Sequence, residues 1–171
     1  MRKGILLVLS IAVLCMFMSG AFAENVYNWT DVSQQAGQYP GSIVSLDGVP
    51  YKVWMPDAFH SVTLGEADIN RGFVAYFTDD GQTVGITVLL EEYGLGDIEE
   101  YVYMAEEEGA GDTQMVTING EKAVVYSIEE TDASCVALLM DEGSVLRFIF
   151  WPMSDPSLAS ISQFITYSIQ K

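Results

Sequence analysis

The chain of 171 residues carries 24 Asp and Glu against seven Lys and Arg, a formal charge of −17. That charge repels nucleic-acid phosphates and anionic lipid headgroups, which removes both from the expected partners. Three tryptophans, nine tyrosines and eight phenylalanines are enough to build a core, so the acidity does not imply disorder.

Arg2 and Lys3 open the chain, and a run from Ile5 to Met18, broken only by Ser10, is apolar. Ala21-Phe22-Ala23 then supplies a small-x-small site before Glu24. This layout predicts a signal peptide over residues 1–23, cleaved after Ala23, and a secreted or extracytoplasmic product. The alternative is an uncleaved N-terminal helix acting as an anchor. Leu14 before Cys15 does not fit a lipoprotein site. Cleavage removes Arg2 and Lys3 but no acid, so the 148-residue remainder carries 24 acids, five bases and a charge of −19. It also leaves Cys135 as the single cysteine, in an apolar context that reads as an inert buried thiol.

Residues 24–40 form a polar segment with Tyr27 and Trp29 as anchors and a short helix from residue 30 or 31 to residue 35. A single α+β domain is expected over residues 41–171. Its first hairpin pairs residues 42–46 with 49–54 through Asp47-Gly48. Residues 57–70 read as irregular or briefly helical. A strand over 71–78 places Phe73, Ala75 and Phe77 on one face; the next, over 83–91, aligns Val84, Ile86, Val88 and Leu90. Asp97 caps a helix to about residue 108, with Ile98, Tyr101, Val102 and Ala105 as its apolar stripe.

Asn119-Gly120 joins strands over 113–118 and 122–128, and Asp141-Glu142-Gly143 joins strands over 134–140 and 144–151. A last helix starts at Ser154 or Asp155, with Pro156 in its first turn. Successive hairpins imply an antiparallel sheet, and the strand Val145 to Trp151 is apolar on both faces, which demands cover on both sides. The expected fold is an α+β sandwich: an antiparallel sheet of about six to eight strands with helices on both faces.

The same order of elements resembles the PsbP-like group of domains, named for an extrinsic photosystem II subunit. The resembling residues are Tyr51-Lys52-Val53-Trp54-Met55-Pro56, Gly72-Phe73-Val74-Ala75-Tyr76-Phe77, Asp97-Ile98-Glu99-Glu100-Tyr101 and Val116-Thr117-Ile118-Asn119-Gly120-Glu121-Lys122-Ala123. They close on Phe148-Ile149-Phe150-Trp151-Pro152-Met153-Ser154-Asp155 and a final helix ending Tyr167-Ser168-Ile169. The pattern covers about residues 43–170. It implies an exported or regulatory binding domain without catalysis and carries no shared catalytic motif; the group includes a Ran-binding factor.

His60 is the one histidine, too few for a His-based zinc cluster, and no Gly-x-Ser-x-Gly turn accompanies it. Gly94-x-Gly96 lacks the remainder of a dinucleotide or phosphate loop. The pairs Asp79/Asp80, Glu91/Glu92 and Glu99/Glu100 leave carboxylate hydrolysis open, although sequence neighbours point apart in strands and helices. Turns at Thr78-Asp79-Asp80-Gly81-Gln82 and Met140-Asp141-Glu142-Gly143 offer oxygens to calcium without the spacing of a twelve-residue calcium loop. Arg147 stands in an otherwise apolar strand, either paired across the sheet with an acid, or laid along apolar surface, or anchoring an anionic group in a cleft. No catalytic, cofactor or metal residue is assigned from sequence. The reading is a non-enzymatic binding module whose partner is a protein or a cationic ligand, with a carboxylate hydrolase or a calcium-dependent structural domain as alternatives.

Overall fold

The computed structural model describes residues 25–171, so the signal-peptide segment lies outside the described residues. The chain forms β1 (Asn25–Tyr27), α1 (Trp29–Ala36), β2 (Gly41–Ser45), β3 (Lys52–Pro56), β4 (His60–Ser61), α2 (Glu66–Ile69), β5 (Phe73–Thr78) and β6 (Gly85–Glu92). It continues with α3 (Ile98–Glu107), β7 (Gly111–Ile118), β8 (Glu121–Ile128), β9 (Ala133–Leu139), β10 (Ser144–Trp151) and α4 (Pro156–Tyr167). Asp97 and Asp155 accept backbone N–H groups at the starts of α3 and α4, as their capping chemistry predicts.

Eight strands form one sheet in the order β1-β7-β8-β9-β10-β6-β5-β4, while β2 and β3 make a separate two-stranded ribbon. All pairings in the large sheet are antiparallel except β1 with β7, which is parallel. Asn119 does more than turn the chain. Its N–H donates to the Tyr27 carbonyl, its Oδ1 accepts from Trp29, and its amide donates to the carbonyls of Tyr167 and Ile169 at 2.8 Å each. One turn side chain thereby ties β1, α1 and the end of α4 together.

Alternate residues of the central strands enter two apolar clusters. Val136, Leu138, Leu146, Phe148 and Phe150 pack with Leu158, Ile161 and Ile165 of α4, Ala36 of α1 and Val53 and Trp54 of β3. Val124, Tyr126, Cys135, Ala137 and Val145 pack with Ile98, Tyr101 and Ala105 of α3. Successive side chains on a strand point to opposite faces, so the clusters leave the sheet in opposite directions.

Three local expectations change. Leu46 donates to the Tyr51 carbonyl and Ser45 registers with Lys52, so the first hairpin closes through a four-residue turn over 47–50. Pro50 has no N–H to continue the ladder, which moves the turn away from Asp47-Gly48 alone. The strand expected from residue 71 begins at Phe73, because Arg71 and Gly72 donate back to Asp68 and Ile69. A bulge registers Phe73 with Leu89 but Ala75 with Val88, which turns Phe73 to the face opposite Ala75 and Phe77.

The β9–β10 connection is built around Gly143, at φ +77°, whose carbonyl accepts from the Leu95 N–H at 3.1 Å. A Cβ there would lie 2.5 Å from the Leu95 nitrogen and 2.6 Å from the Gly94 carbonyl carbon. Gly143→Ala combines a left-handed backbone with a collision against backbone, and chemical denaturation should show a loss of about 2 kcal/mol or more. An unchanged midpoint would show that the 93–96 loop can move away.

Candidate functional site

A cleft of ≈ 1080 Å³ opens between the β2–β3 turn and the outer side of β5. The end of β2 and the turn contribute Val44 to Val49, β4 and the segment after it contribute residues 61–64, and α2 with its exit contributes residues 69–72. Val74, Ala75, Phe77 and Leu90 supply apolar wall, and the exposed Ile69 stands at the mouth. Asp47, Glu91 and Glu92 are its acids and Arg71 its cation. The cleft exists because β4 is only two residues long. It pairs with Thr78 and Phe77, Val62 adds one bond to Tyr76, and the chain then leaves β5 for α2. Gly72, at φ +89°, lets the chain return close against Leu90, whose N–H donates to the Gly72 carbonyl at 2.8 Å.

Arg147 is the cross-strand partner of an acid. Its Nη2 donates to Glu91 Oε1 at 2.8 Å, with the two side chains 14% and 24% exposed. Its Nη1 reaches the Tyr126 hydroxyl at 3.4 Å, and that hydroxyl shares a 2.9 Å hydrogen bond with Tyr101 Oη. Burial acts to lower the guanidinium pKa, but the Tyr126 hydrogen bond, then the electrostatic influence of Tyr126 and Tyr101 and last that of Glu91, outweigh it and leave the pKa raised. Burial is also the main cause of the raised pKa of Tyr101, Tyr126 and the Cys135 thiol. Tyr93 is pushed up to about 12, first by burial and then by the Glu91 charge. A thiol and phenols held protonated are poor nucleophiles, so this chain from β6 through β10 and β8 to α3 is a structural strut.

The comparisons with known proteins bear on the fold. No family model matches the sequence, and no curated protein matches it. The solution structure of cyanobacterial PsbP (CyanoP) from Synechocystis sp. PCC 6803 aligns over 77% of this chain and 92% of that chain. The TM-score is 0.54 at 13% sequence identity. The chain has the PsbP fold. At that identity the likeness extends to architecture, and the site must be argued from this chain's own residues.

Within this PsbP fold the remaining sequence candidates are scattered. Asp79 is consumed by its own turn: its carboxylate accepts from the N–H groups of Gly81, Thr83 and Val84 and from the Thr83 hydroxyl at 2.8–3.1 Å. The Val84 hydrogen bond leads the causes that lower its pKa to about 2. Asp80 beside it is fully exposed, 3.6 Å from His60 on β4. Glu99 and Glu100 lie exposed in the first turn of α3, and Asp141 and Glu142 belong to the turn that receives Leu95. Among the described residues no three His, Cys, Asp or Glu side chains converge as a metal would require. Of the sequence candidates, only Glu91 and Glu92 line the cleft, and Glu91 is held by Arg147. The cleft itself was missed, because its walls come from four segments far apart in sequence; the irregular reading of residues 57–70 was its only local sign.

Two measurements check these assignments. Breaking one partner of a largely buried ion pair leaves the other charge stranded, at a cost of about 3–5 kcal/mol, whereas removing both costs far less. Arg147→Met should therefore destabilise the protein more than the Arg147→Met/Glu91→Leu double variant does; equal or greater loss in the double variant would remove the strut. Asp79 is ionised more readily folded than unfolded, so its contribution is complete above the unfolded pKa of 3.8 and fades as pH falls toward 2. The melting temperature of Asp79→Ala should lie below wild type by a constant gap above about pH 5, closing near pH 2. A gap independent of pH would mean that the carboxylate charge contributes nothing.

Proposed function

We propose that the chain is an exported, non-enzymatic interaction domain that receives a protein ligand in the cleft between the β2–β3 turn and β5. The observation that carries the reading is the composition of that cleft: extended apolar wall, with acids spread along its rim and Glu91 neutralised in place. Binding surfaces are built this way, whereas carboxylate catalysis needs two acids converging on one reacting atom. The signal-peptide layout of residues 1–23 supports export, and among the described residues no helix is long and apolar enough to cross a membrane. The two apolar clusters support a three-layer arrangement, with α1 and α4 on one face of the sheet and α3 on the other. The charge of −17 favours a cationic partner and speeds its arrival at low salt.

A random peptide pool displayed against the immobilised protein tests the reading. Ile69, 59% exposed at the cleft mouth, and Tyr103, 71% exposed on α3, can both be changed to Lys without disturbing the core. Selected peptides should lose binding about tenfold or more with Ile69→Lys and keep it with Tyr103→Lys. Loss with Tyr103→Lys alone would move the site to α3, and cleavage of the peptides by the protein would overturn the non-enzymatic reading.

A further inference from the structure

The wall of the cleft formed by β2 carries an unpaired strand edge. Among the described residues the ribbon contains two strands, so β2 has a described neighbour on one side alone. Asp57 donates to the Pro40 carbonyl and Leu46 donates to the Tyr51 carbonyl, which makes 40–57 and 46–51 hydrogen-bonded pairs. Bonded and non-bonded pairs alternate in an antiparallel ladder, so Ser42 and Val44 face β3, while Ile43 and Ser45 direct their N–H and C=O groups outward. Their cross-strand partners confirm the phase. Trp54 turns its N–H away from β2 to Ser168 Oγ at 2.7 Å, and Lys52 turns its N–H to the Gln170 carbonyl at 2.9 Å.

This edge lacks the usual protection. Exposed strand edges are normally blunted by a lysine, a proline, a bulge or a covering loop. Gly41-Ser42-Ile43-Val44-Ser45 contains neither charge nor proline, its register with β3 is unbroken, and Ile43 is 45% exposed. Val44 and Ser45 line the cleft, so a strand laid along this edge runs directly into it.

We propose that the domain captures its ligand by strand addition: an extended segment of a partner polypeptide pairs antiparallel or parallel with β2 and places alternate side chains in the cleft. This rests on the cleft being the binding site and adds the mode of recognition. Backbone hydrogen bonds to Ile43 and Ser45 hold the segment, and the period of two sends one set of side chains to Val74 and Leu90 and the other to the rim. Charge selects the occupant. Glu91 is already paired with Arg147, but Asp47 and Glu92 still outnumber Arg71 along the cleft, and the chain as a whole stands at −17. A second copy would bring an equal negative charge to the edge, whereas a segment with apolar and basic residues in alternation is complementary to both floor and rim.

The probe is a peptide of about eight alternating valines and lysines, with its valine–glutamate counterpart as control. Amide hydrogen exchange of the protein should slow about tenfold at Ile43 and Ser45 when the lysine peptide binds, with little change at Ser42 and Val44, which are already paired. Ile43→Pro deletes an outward N–H without touching the β3 ladder, and should weaken binding about tenfold at an unchanged melting temperature. Exchange at the wild-type edge keeps the test decisive if that variant fails to fold. Binding with shifts at Val74 and Leu90 but no slowing at Ile43 and Ser45 would overturn strand addition and leave the cleft reading standing. Failure of the lysine peptide to bind, or equal binding of the glutamate peptide, would also overturn it, and the cleft reading would then depend on the Ile69→Lys comparison. Self-association of the protein that Ile43→Pro abolishes would overturn it in favour of a second copy on the edge.

Discussion

Burial of β8, β9 and β10 on both faces is the constraint from which the rest of the architecture follows. Phe148 and Phe150 leave β10 toward α4, while Val145 and the half-buried Ile149 leave it toward α3. A strand apolar on both sides cannot form the outer surface of a two-layer protein, because burying each large side chain is worth about 1.5–3 kcal/mol. Among the described residues, α1 and α4 pack into the first apolar cluster and α3 into the second. β10 also returns to pair with β6 rather than extending the hairpin series outward, which keeps it central and leaves β4 and β1 as the short terminal strands of the sheet.

A polar network is tolerated inside this apolar arrangement because it is shared among elements. Arg147 has the Glu91 carboxylate across the strand and the Tyr126 hydroxyl beside it, and Tyr101 brings α3 into the same chain of hydrogen bonds. The price is specificity of register: shifting β10 by one residue against β6 would move Arg147 to the Phe148 side, among apolar neighbours. Asn119 plays the corresponding part at the far end of the sheet, where one side chain satisfies the N-terminal segment and the last carbonyls of the chain.

The cleft is a consequence of where pairing stops. β4 ends after two residues, the chain detours through α2, and the β2–β3 ribbon hydrogen-bonds to the C-terminal segment through Lys52 and Gln170 instead of joining the large sheet. The result is an apolar-walled opening with a free strand edge along one wall and acids on its rim. Interaction sites draw on such incompletely paired regions because backbone groups there are available to a partner.

Much of the secondary structure is set by local chemistry and was legible without coordinates. Asp97, Asp155 and Pro156 mark helix starts, Asn119-Gly120 and Glu142-Gly143 mark turns, and the period-two pattern of Val84 to Leu90 and the apolar run of Val145 to Trp151 mark strands, because each signal acts within a few residues. Phe73 was misplaced because a bulge depends on what the neighbouring strand offers, and the Asp47-Gly48 turn was misplaced because Pro50 cannot pair. The candidate site was legible only as isolated residues. That Arg147 needs a partner follows from its apolar surroundings, but that the partner is Glu91, 56 positions earlier, is decided by the register of β10 on β6. The sequence by itself determined the acidic charge, the order of the longer strands and helices and the demand for cover on both sides of the central strands, while the short β1 and β4 went unread. Tertiary structure alone decided which strands are neighbours, where the cleft opens and which edge stays free, because those depend on loop closure between distant segments and leave no local trace.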